Sequence, residues 1–176
     1  EKKELVMNYL ITFASTTGNT QELAQAIRET LPPEDCINFG PTIMMSKKDI
    51  AAAQRIYVGF WTNRGACSET VAEFLQGLEN KEVFLFGTAG FGESQDYFDG
   101  ILARVGENIP ESSRIVGTYM CQGKMPQRTR ERYEGMLTDP EQEANARQML
   151  ENFDKALSHP DATDIENLKQ AIKKVQ

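Results

Sequence analysis

The sequence predicts an α/β fold in which a five-stranded parallel sheet carries helices on both faces. Short apolar runs alternate with helical patterns along the chain, as in successive βαβ units. The first run, 6–13, is mostly apolar and does not alternate, which is typical of a strand covered on both faces. With 176 residues, 40% of them hydrophobic, the chain is long enough for one domain with a sizeable core.

The elements follow from the spacing of apolar residues and from the residues that end each run. The predicted strands are 6–13, 36–39, 55–60, 82–86 and 113–120. The predicted helices are about 20–31, 46–53, 67–78, 96–105, 127–137, 140–157 and 165–175. Two prolines end the first helix, and Thr163-Asp-Ile-Glu166 fits a capping box for the last. We expect a domain over 1–157 and a C-terminal helical extension over 158–176 that packs on the same domain.

The loop Ser15-Thr16-Thr17-Gly18-Asn19-Thr20 joins the first strand to the first helix. Unpaired amides and the helix dipole make a helix N-terminus a favourable seat for an anion. The loop lacks the Lys of a nucleoside triphosphate loop and has one glycine where a dinucleotide fingerprint has three. It therefore indicates a phosphomonoester held by neutral donors, such as that of FMN. The alternative interpretation is an ordinary N-cap.

Composition excludes several classes of protein. A net charge of −7 and a pI near 4.9 argue against a nucleic-acid binder, because the phosphate backbone would repel such a surface. No apolar run approaches the roughly 20 residues that span a bilayer, and the charged N-terminus lacks a signal-peptide core. Cysteines 36, 67 and 121 have the spacing of neither a disulfide framework nor a metal site. We expect a cytoplasmic protein with no membrane, nucleic-acid or metal partner.

Glycine-rich or polar loops also follow the third, fourth and fifth strands. They are Trp61-Thr-Asn-Arg-Gly-Ala66, Gly87-Thr-Ala-Gly-Phe-Gly92 and Cys121-Gln-Gly-Lys-Met-Pro126. The carboxyl ends of parallel strands meet at one edge of a sheet, and ligands of such folds bind beyond that edge. The four loops are therefore predicted to form one site.

On these motifs the chain resembles the flavodoxin family over about residues 7–120. The resemblance rests on Ser15-x-Thr17-Gly18-x-Thr20, on Gly59-Phe60-Trp61 and on the loop 87–92. It implies a flavodoxin-like fold with the strand order 2-1-3-4-5 and FMN as cofactor. The uninterrupted fifth strand is similar to that of short-chain members. The loop at 121–124 and the helical tail resemble a bacterial branch that includes the flavodoxin-like partner of bilirubin reductase.

The resemblance also implies which residues contact FMN, and it implies no catalytic residue. The phosphate would be held by Ser15, Thr16, Thr17, Gly18, Asn19 and Thr20. One side of the isoalloxazine would be lined by Phe60, Trp61, Thr62 and Asn63, and the other by Thr88, Ala89, Gly90 and Phe91. Cys121 and Gln122 would close the rim. From the residues alone, Trp61 could instead be a core residue, Phe91 a loop plug and Cys121 a small buried hydrophobe.

Two positions depart from the pattern of many flavodoxins. Gln95 stands where a stacking tyrosine is common, so Phe91 takes that place or the face is open to a substrate. Thr62 follows Trp61 where many members have a glycine whose peptide flips towards flavin N5. The sequence therefore does not predict such a flip.

Basic residues on the candidate loops predict an unusual flavin environment. Arg64, Lys124, Arg128 and Arg130 lie on or just after these loops, against Glu93 and Asp96. A cation near N1 would stabilise the anionic reduced flavin, which predicts a milder reductant than typical flavodoxins. Alternatively, these side chains simply face solvent. His159, the only histidine, is expected to be a surface residue far from these loops and not a general base.

The expected function is that of an FMN-binding electron carrier. It would shuttle electrons from a separate reductase to a partner redox enzyme, because the sequence shows no second domain for NAD(P)H. We expect a monomer or weak homodimer. The alternative is an FMN-dependent NAD(P)H:quinone or small-molecule reductase, and a third class is a scaffold that has lost its flavin.

Overall fold

Five parallel strands form the sheet of the computed structural model, which describes residues 7–92 and 94–176. The strands are β1 (Tyr9–Phe13), β2 (Cys36–Pro41), β3 (Arg55–Trp61), β4 (Glu82–Ala89) and β5 (Arg114–Gln122). Their spatial order is β2-β1-β3-β4-β5, which confirms the predicted fold class and order. The predicted start of the first strand at Val6 lies outside the described residues.

Seven α-helices and two 3₁₀ turns accompany the strands in the described part of the chain, and the last three helices follow β5. The helices are α1 (Asn19–Thr30), α2 (Lys47–Ala52), α3 (Glu69–Gln76), α4 (Gln95–Gly106), α5 (Gln127–Met136), α6 (Glu143–Ala156) and α7 (Ala162–Lys173). The 3₁₀ turns are Pro33–Asp35 and Thr42–Met44. No helix within residues 7–92 and 94–176 is long and apolar enough to cross a bilayer.

Three predicted helix starts were wrong, and local hydrogen bonds explain each difference. Helix α3 begins after Cys67 because the Ser68 side chain caps it. Helix α6 begins at Glu143 and not at Pro140 as predicted. The reason is a turn in which the Asp139 carbonyl accepts hydrogen bonds from the amides of Gln142 and Glu143. Helix α7 is capped by Asp161 instead of Thr163. Its carboxylate accepts from the Asp164 amide at 2.9 Å, and the Asp164 carboxylate accepts from the Asp161 amide at 2.8 Å.

Two apolar layers sandwich the sheet, as a doubly wound fold requires. Helices α3 and α4 cover one face with Val71, Leu75, Ile101 and Leu102. Helices α1 and α7 cover the other with Leu23, Ile27, Leu168 and Ile172. Adjacent residues of one strand, such as Ile56 and Tyr57, belong to opposite layers. Helix α7 thus contributes to the core, whereas α5 and α6 pack chiefly on each other.

A charged clamp closes the amino edge of the sheet. The guanidinium of Arg55, with 9% of its side chain exposed, donates to Glu82 Oε2 at 2.9 and 3.0 Å. Arg55 also donates to the carbonyl of Val175 at 2.6 Å, and Arg114 donates to Glu82 Oε1 at 2.6 Å. Burial opposes ionisation of Glu82, but the hydrogen bonds from Arg114 and Arg55 hold its pKa below the ordinary value. The clamp therefore ties β3, β4, β5 and the chain after α7 together.

Candidate functional site

A cleft of about 370 Å³ lies at the carboxyl edge of the sheet, where the four predicted loops meet α5. This volume is within the range of small-molecule sites, about 300–1,000 Å³. Nine of the predicted site residues line it: Thr16, Thr17, Asn19, Trp61, Thr62, Thr88, Ala89, Gly90 and Phe91. The sequence therefore identified residues at the carboxyl ends of β3 and β4 and in the segments after β1, β3 and β4 that come together in one place.

The other seven predicted residues do not line the cleft. Ser15, Gly18 and Asn63 flank it, and Thr20, Phe60, Cys121 and Gln122 are buried beside or beneath it. The Thr20 hydroxyl donates to the Phe60 carbonyl at 3.1 Å and lies 3.2 Å from Thr88 Oγ1, so it supports the cleft floor. Burial raises the pKa of the Cys121 thiol, which keeps it protonated in the core.

The loop after β1 presents an open helix N-terminus to the cleft. Gly18 is the N-cap of α1 with a φ of 87°, a conformation that favours glycine, and no side chain caps the helix. Its amide donates to Ser15 Oγ at 3.1 Å, which shapes the turn. Thr16 and Thr17 line the cleft beside this N-terminus. Unpaired helix amides with neighbouring hydroxyls suit a phosphate.

Asn19 joins the loop after β1 to the loop after β5. Its Nδ2 donates to the Lys124 carbonyl at 2.8 Å, and a Cβ at Gly123 would lie 2.4 Å from that nitrogen. Asn19 is only 5% exposed, and its Oδ1 has no partner among the described residues. A buried acceptor without a partner favours a ligand that brings a hydroxyl donor. FMN carries both a phosphate and a ribityl chain with hydroxyls, so the donor and acceptor set fits this cofactor.

A short hairpin fixes the loop after β3. Arg64 and Gly65 have φ values of 50° and 78°, and Asn63 and Ala66 exchange hydrogen bonds of 3.0 and 3.1 Å. Two central residues with positive φ characterise a type I′ turn. Arg104 of α4 donates to the Gly65 carbonyl at 2.7 Å and holds the turn from outside.

Thr62 is fixed by two hydrogen bonds. Its amide and its hydroxyl both donate to the Thr88 carbonyl, at 2.9 and 2.8 Å. A rotation of the Trp61–Thr62 peptide would break the bond from the Thr62 amide, which extends the pairing of β3 with β4. The geometry therefore opposes a peptide flip at this position, in agreement with the presence of Thr62 in place of a glycine.

Two aromatic side chains flank the cleft on the side of β4 and α4. Phe91 is 40% exposed and Tyr97 is 37% exposed, and both line the cleft. Gln95, at the expected tyrosine position, donates to Asp99 along α4. The sequence interpretation missed Tyr97, although an aromatic residue in the first turn of a helix after a glycine loop was a usable signal. Burial raises the pKa of Tyr97, so its phenol is neutral at physiological pH.

Helix α6 supports the loop after β4, which no sequence motif indicated. The Gly90 carbonyl accepts from Gln122 Nε2 at 2.8 Å and from Asn152 Nδ2 at 3.0 Å. Gln122 Nε2 also lies 3.1 Å from Asn152 Oδ1. The two amide side chains thus fix the backbone that forms one wall of the cleft.

Four cations line the cleft, and no carboxylate of the described residues does. They are Arg64, Lys124, Arg128 and Arg132. The salt bridges within 7–92 and 94–176 involve none of them. Arg132 was missed. Placing Arg130 at the site was wrong, because it pairs with Glu134 and Asp154 and lies over the Phe153 ring.

His159 lies closer to the site than expected. Its Nδ1 is 2.6 Å from Asp164 Oδ2, its side chain is 26% exposed, and its carbonyl accepts from the Lys124 amide at 3.1 Å. The prediction that His159 lies far from the loops was therefore wrong, because its backbone contacts the loop after β5. The imidazole is oriented by the capping box of α7, which indicates a structural role.

A larger cavity of about 790 Å³ lies at the opposite, amino edge of the sheet. Tyr9, Leu31, Tyr57 and Val175 contribute to its walls, and none of the four converging loops reaches it. In parallel α/β sheets ligands bind at the carboxyl edge, so the smaller cleft is the candidate functional site.

Comparison with known proteins identifies similar chains. The family model described as "Flavodoxin domain" matches residues 10–173. A flavodoxin-like domain-containing protein BilS of Clostridium symbiosum is 38% identical over 173 residues, covering 90% of each chain. A BilS protein of Clostridioides difficile is 30% identical over 159 residues, also covering 90% of each chain.

Solved flavodoxin structures share the fold at low sequence identity. The flavodoxin of Streptococcus pneumoniae TIGR4 superposes with a TM-score of 0.57 at 17% identity, over 95% of this chain and 96% of that one. Flavodoxin 2 of Bacillus cereus gives a TM-score of 0.56 at 17% identity, over 96% and 97% of the two chains.

Proposed function

We propose that this chain, which belongs to the flavodoxin family, binds FMN in the carboxyl-edge cleft and carries electrons from a reductase to a redox partner enzyme. The observation that carries the proposal is the uncapped N-terminus of α1, beside the neutral hydroxyls of Thr16 and Thr17, within a cleft that four loops form together. FMN supplies the redox chemistry, since it takes up and releases one or two electrons. The protein contributes binding, orientation and a local electric field.

Each wall of the cleft has a separate task in this proposal. The N-terminus of α1 with Thr16 and Thr17 would hold the phosphate, and Asn19 Oδ1 would accept from a ribityl hydroxyl. Trp61 and Tyr97 would limit access of water to the ring system. Thr62 and Gln122 hold the loops after β3 and β4 in place through the Thr88 and Gly90 carbonyls.

Cofactor binding can be tested by titrating apoprotein with FMN and, separately, with riboflavin while flavin fluorescence is recorded. We expect FMN to bind and riboflavin to bind more weakly, because riboflavin lacks the phosphate that the α1 N-terminus would hold. Equal affinity for the two flavins would contradict the phosphate seat. Failure to bind either flavin would reject the proposal and leave the scaffold interpretation.

A second candidate, an FMN-dependent NAD(P)H:quinone or small-molecule reductase, is favoured by one observation. The four cations of the cleft would also attract the phosphates of a nicotinamide dinucleotide. NADPH consumption by the FMN-loaded protein should be measured with a quinone present, first alone and then with a flavodoxin reductase. A carrier requires the reductase, and turnover of NADPH by the protein alone would favour the enzyme.

A further inference from the structure

We propose that the face around the cleft docks an acidic surface of a protein redox partner. This docking face consists of the cations Arg64, Lys124, Arg128 and Arg132 and of the apolar residues Ile43, Met44, Phe91 and Tyr97. The inference rests on the proposed electron-carrier function, since it specifies the chemistry of the partner at that same site.

The distribution of charge supports an acidic partner. The chain has 26 acidic and 19 basic residues, so a random surface patch would be negative. Among the residues that line the cleft the sign is reversed, because four of them are cations and no carboxylate of the described residues is among them. Other arginines, such as Arg55, Arg130 and Arg147, are neutralised in ion pairs. Unpaired charge of one sign beside a reactive cleft steers a partner of the opposite sign.

Exposed apolar side chains lie in the same cleft and beside the groove that adjoins it. Ile43 and Met44, on the turn after β2, are 81% and 71% exposed. A groove of about 410 Å³ runs between Ile43 and Trp61, and Trp61 also lines the cleft. Phe91 and Tyr97 are exposed on the side of β4 and α4. Aromatic residues, methionine and arginine are the residues enriched in the cores of protein interfaces.

The mixed composition favours a protein over other acidic occupants. Nucleic acid would be repelled by the rest of an acidic surface. An anionic bilayer would also match cations and apolar groups, but electron transfer requires a redox centre opposite the flavin. Co-sedimentation with phosphatidylserine vesicles separates these cases. We expect no binding, and binding to the vesicles would overturn the assignment to a protein.

The charge of the docking face can be measured with two haem proteins of opposite charge as electron acceptors. FMN-loaded protein is reduced photochemically and mixed in a stopped-flow instrument with acidic cytochrome b5 or with basic cytochrome c. Each ferric haem takes one electron and becomes ferrous, so one fully reduced flavin reduces two haems and releases its protons to the buffer.

We expect the rate constant for cytochrome b5 to fall at least about tenfold between about 10 mM and about 1 M salt, as screening removes attraction. The rate constant for cytochrome c should stay constant or rise over the same range. If the net charge of −7 on the whole chain determined the encounter, the rate constant would fall with salt for cytochrome c and not for cytochrome b5. The reverse pattern, or the same salt response for both acceptors, would overturn the inference.

Variants locate the effect on the molecule. The double variant Arg128→Gln/Arg132→Gln should lose most of the salt dependence with cytochrome b5, with rates expressed per bound flavin. The matched control is Lys173→Gln/Lys174→Gln, two exposed cations at the end of α7, near the amino-edge clamp. The control should behave as wild type, and an equal loss in both variants would contradict the location. Absence of bound FMN in the wild-type protein would instead reject the proposed function. Failure of the docking inference and failure of the proposed function are therefore distinguishable.

Discussion

Gly59, in the strand that precedes the tryptophan loop, allows β3 to lie against a phenylalanine ring and a threonine. A Cβ at this position would be 2.4 Å from the Phe86 ring and 2.8 Å from Thr20 Cγ2. Both neighbours are fully buried and cannot move away without disturbing the floor of the cleft. This glycine therefore determines how closely the sheet and α1 approach each other.

We expect Gly59→Ala to lower the free energy of unfolding by about 1–3 kcal/mol, because it overpacks a filled core. Gly135→Ala is the matched control, since a Cβ there meets nothing within 4 Å and the residue lies in α5. The control should stabilise the protein by about 0.4–1 kcal/mol by restricting the unfolded chain. Urea unfolding monitored by tryptophan fluorescence measures both, and a neutral Gly59→Ala would contradict the packing argument.

The cations of the cleft should also influence the flavin potential. We expect Arg128→Gln to make the couple that forms the fully reduced flavin more negative by about 10–40 mV. This range corresponds to an exposed charge interaction of about 0.2–1 kcal/mol, at about 59 mV per 1.4 kcal/mol for one electron. Spectroelectrochemical titration tests this against Lys174→Gln, which should leave the potential unchanged. A wild-type couple as negative as that of typical flavodoxins would contradict the predicted milder reductant.

At the scale of residues, sequence motifs predicted which loops meet at the cleft better than which side chains line it. Thr16, Thr17 and Trp61 line the cleft because short loops at strand ends leave few alternatives. Thr20 and Phe60 are in the same motifs but point into the core, since adjacent positions of a strand or helix face different ways. Arg132 and Tyr133 reach the cleft only through the placement of α5, which no local pattern specifies.

At the scale of elements, the amino-edge clamp predicts a pH-dependent stability. We expect Glu82→Gln to cost about 3 kcal/mol at pH 7, because Arg55 would keep a buried charge without its ionised partner. The folded pKa of Glu82 is lowered. The ionised Glu82 therefore makes its full contribution to the free energy of unfolding above the pKa of the unfolded chain, about 4.3. This contribution is lost as the pH falls through the lower pKa of the folded state.

The difference between wild type and Glu82→Gln should thus narrow below about pH 4.3 in urea unfolding experiments. Glu143→Gln is the control, since its ion pair with Arg147 is exposed on α6 and should contribute at most about 0.5 kcal/mol. A difference that stays constant with pH would show that ionisation of Glu82 does not stabilise the clamp.

Helix and strand periodicity predicted which elements exist, whereas their ends depended on capping. The predicted capping box at Thr163 had the right residue types, but the chain uses Asp161 and Asp164 two positions earlier. Several polar residues within one turn can cap a helix equally well by residue type. Only tertiary contacts decide which of them does so. One such contact is the hydrogen bond from Tyr119 Oη to the Asp164 carbonyl, at 2.6 Å.

At the scale of the whole molecule, FMN should stabilise the native state by linkage. At a free concentration of about 100 times Kd, we expect about 2.7 kcal/mol, which raises Tm by roughly 5–10 °C for a chain of this size. Differential scanning calorimetry measures the shift, and hydrogen exchange locates it. Protection should increase in the loops 15–20, 61–66, 87–92 and 121–126, and not at the amino-edge clamp. Uniform protection would contradict binding at the carboxyl edge.

The doubly wound architecture was predictable because alternation of apolar strands with amphipathic helices leaves few packing solutions. The strand order came from the resemblance to flavodoxins, and the structure confirms it. The positions of α5 and α6 were not predictable, since their polar sequences fit any exposed location. Their contacts with the cleft depend on long-range bonds such as that from Asn152 to Gly90.

The fixed loop after β3 has a consequence for the speed of electron transfer. Thr62 is bound twice to Thr88, and Arg104 holds the turn at Gly65. Atoms held in this way move little when the charge of a neighbouring group changes, so we expect the reorganisation energy of the protein around a bound flavin to be small. A small reorganisation energy lowers the activation barrier for moving an electron even when the driving force is slight. The stiffness of one hairpin would thus help a mild reductant to pass on its electrons quickly.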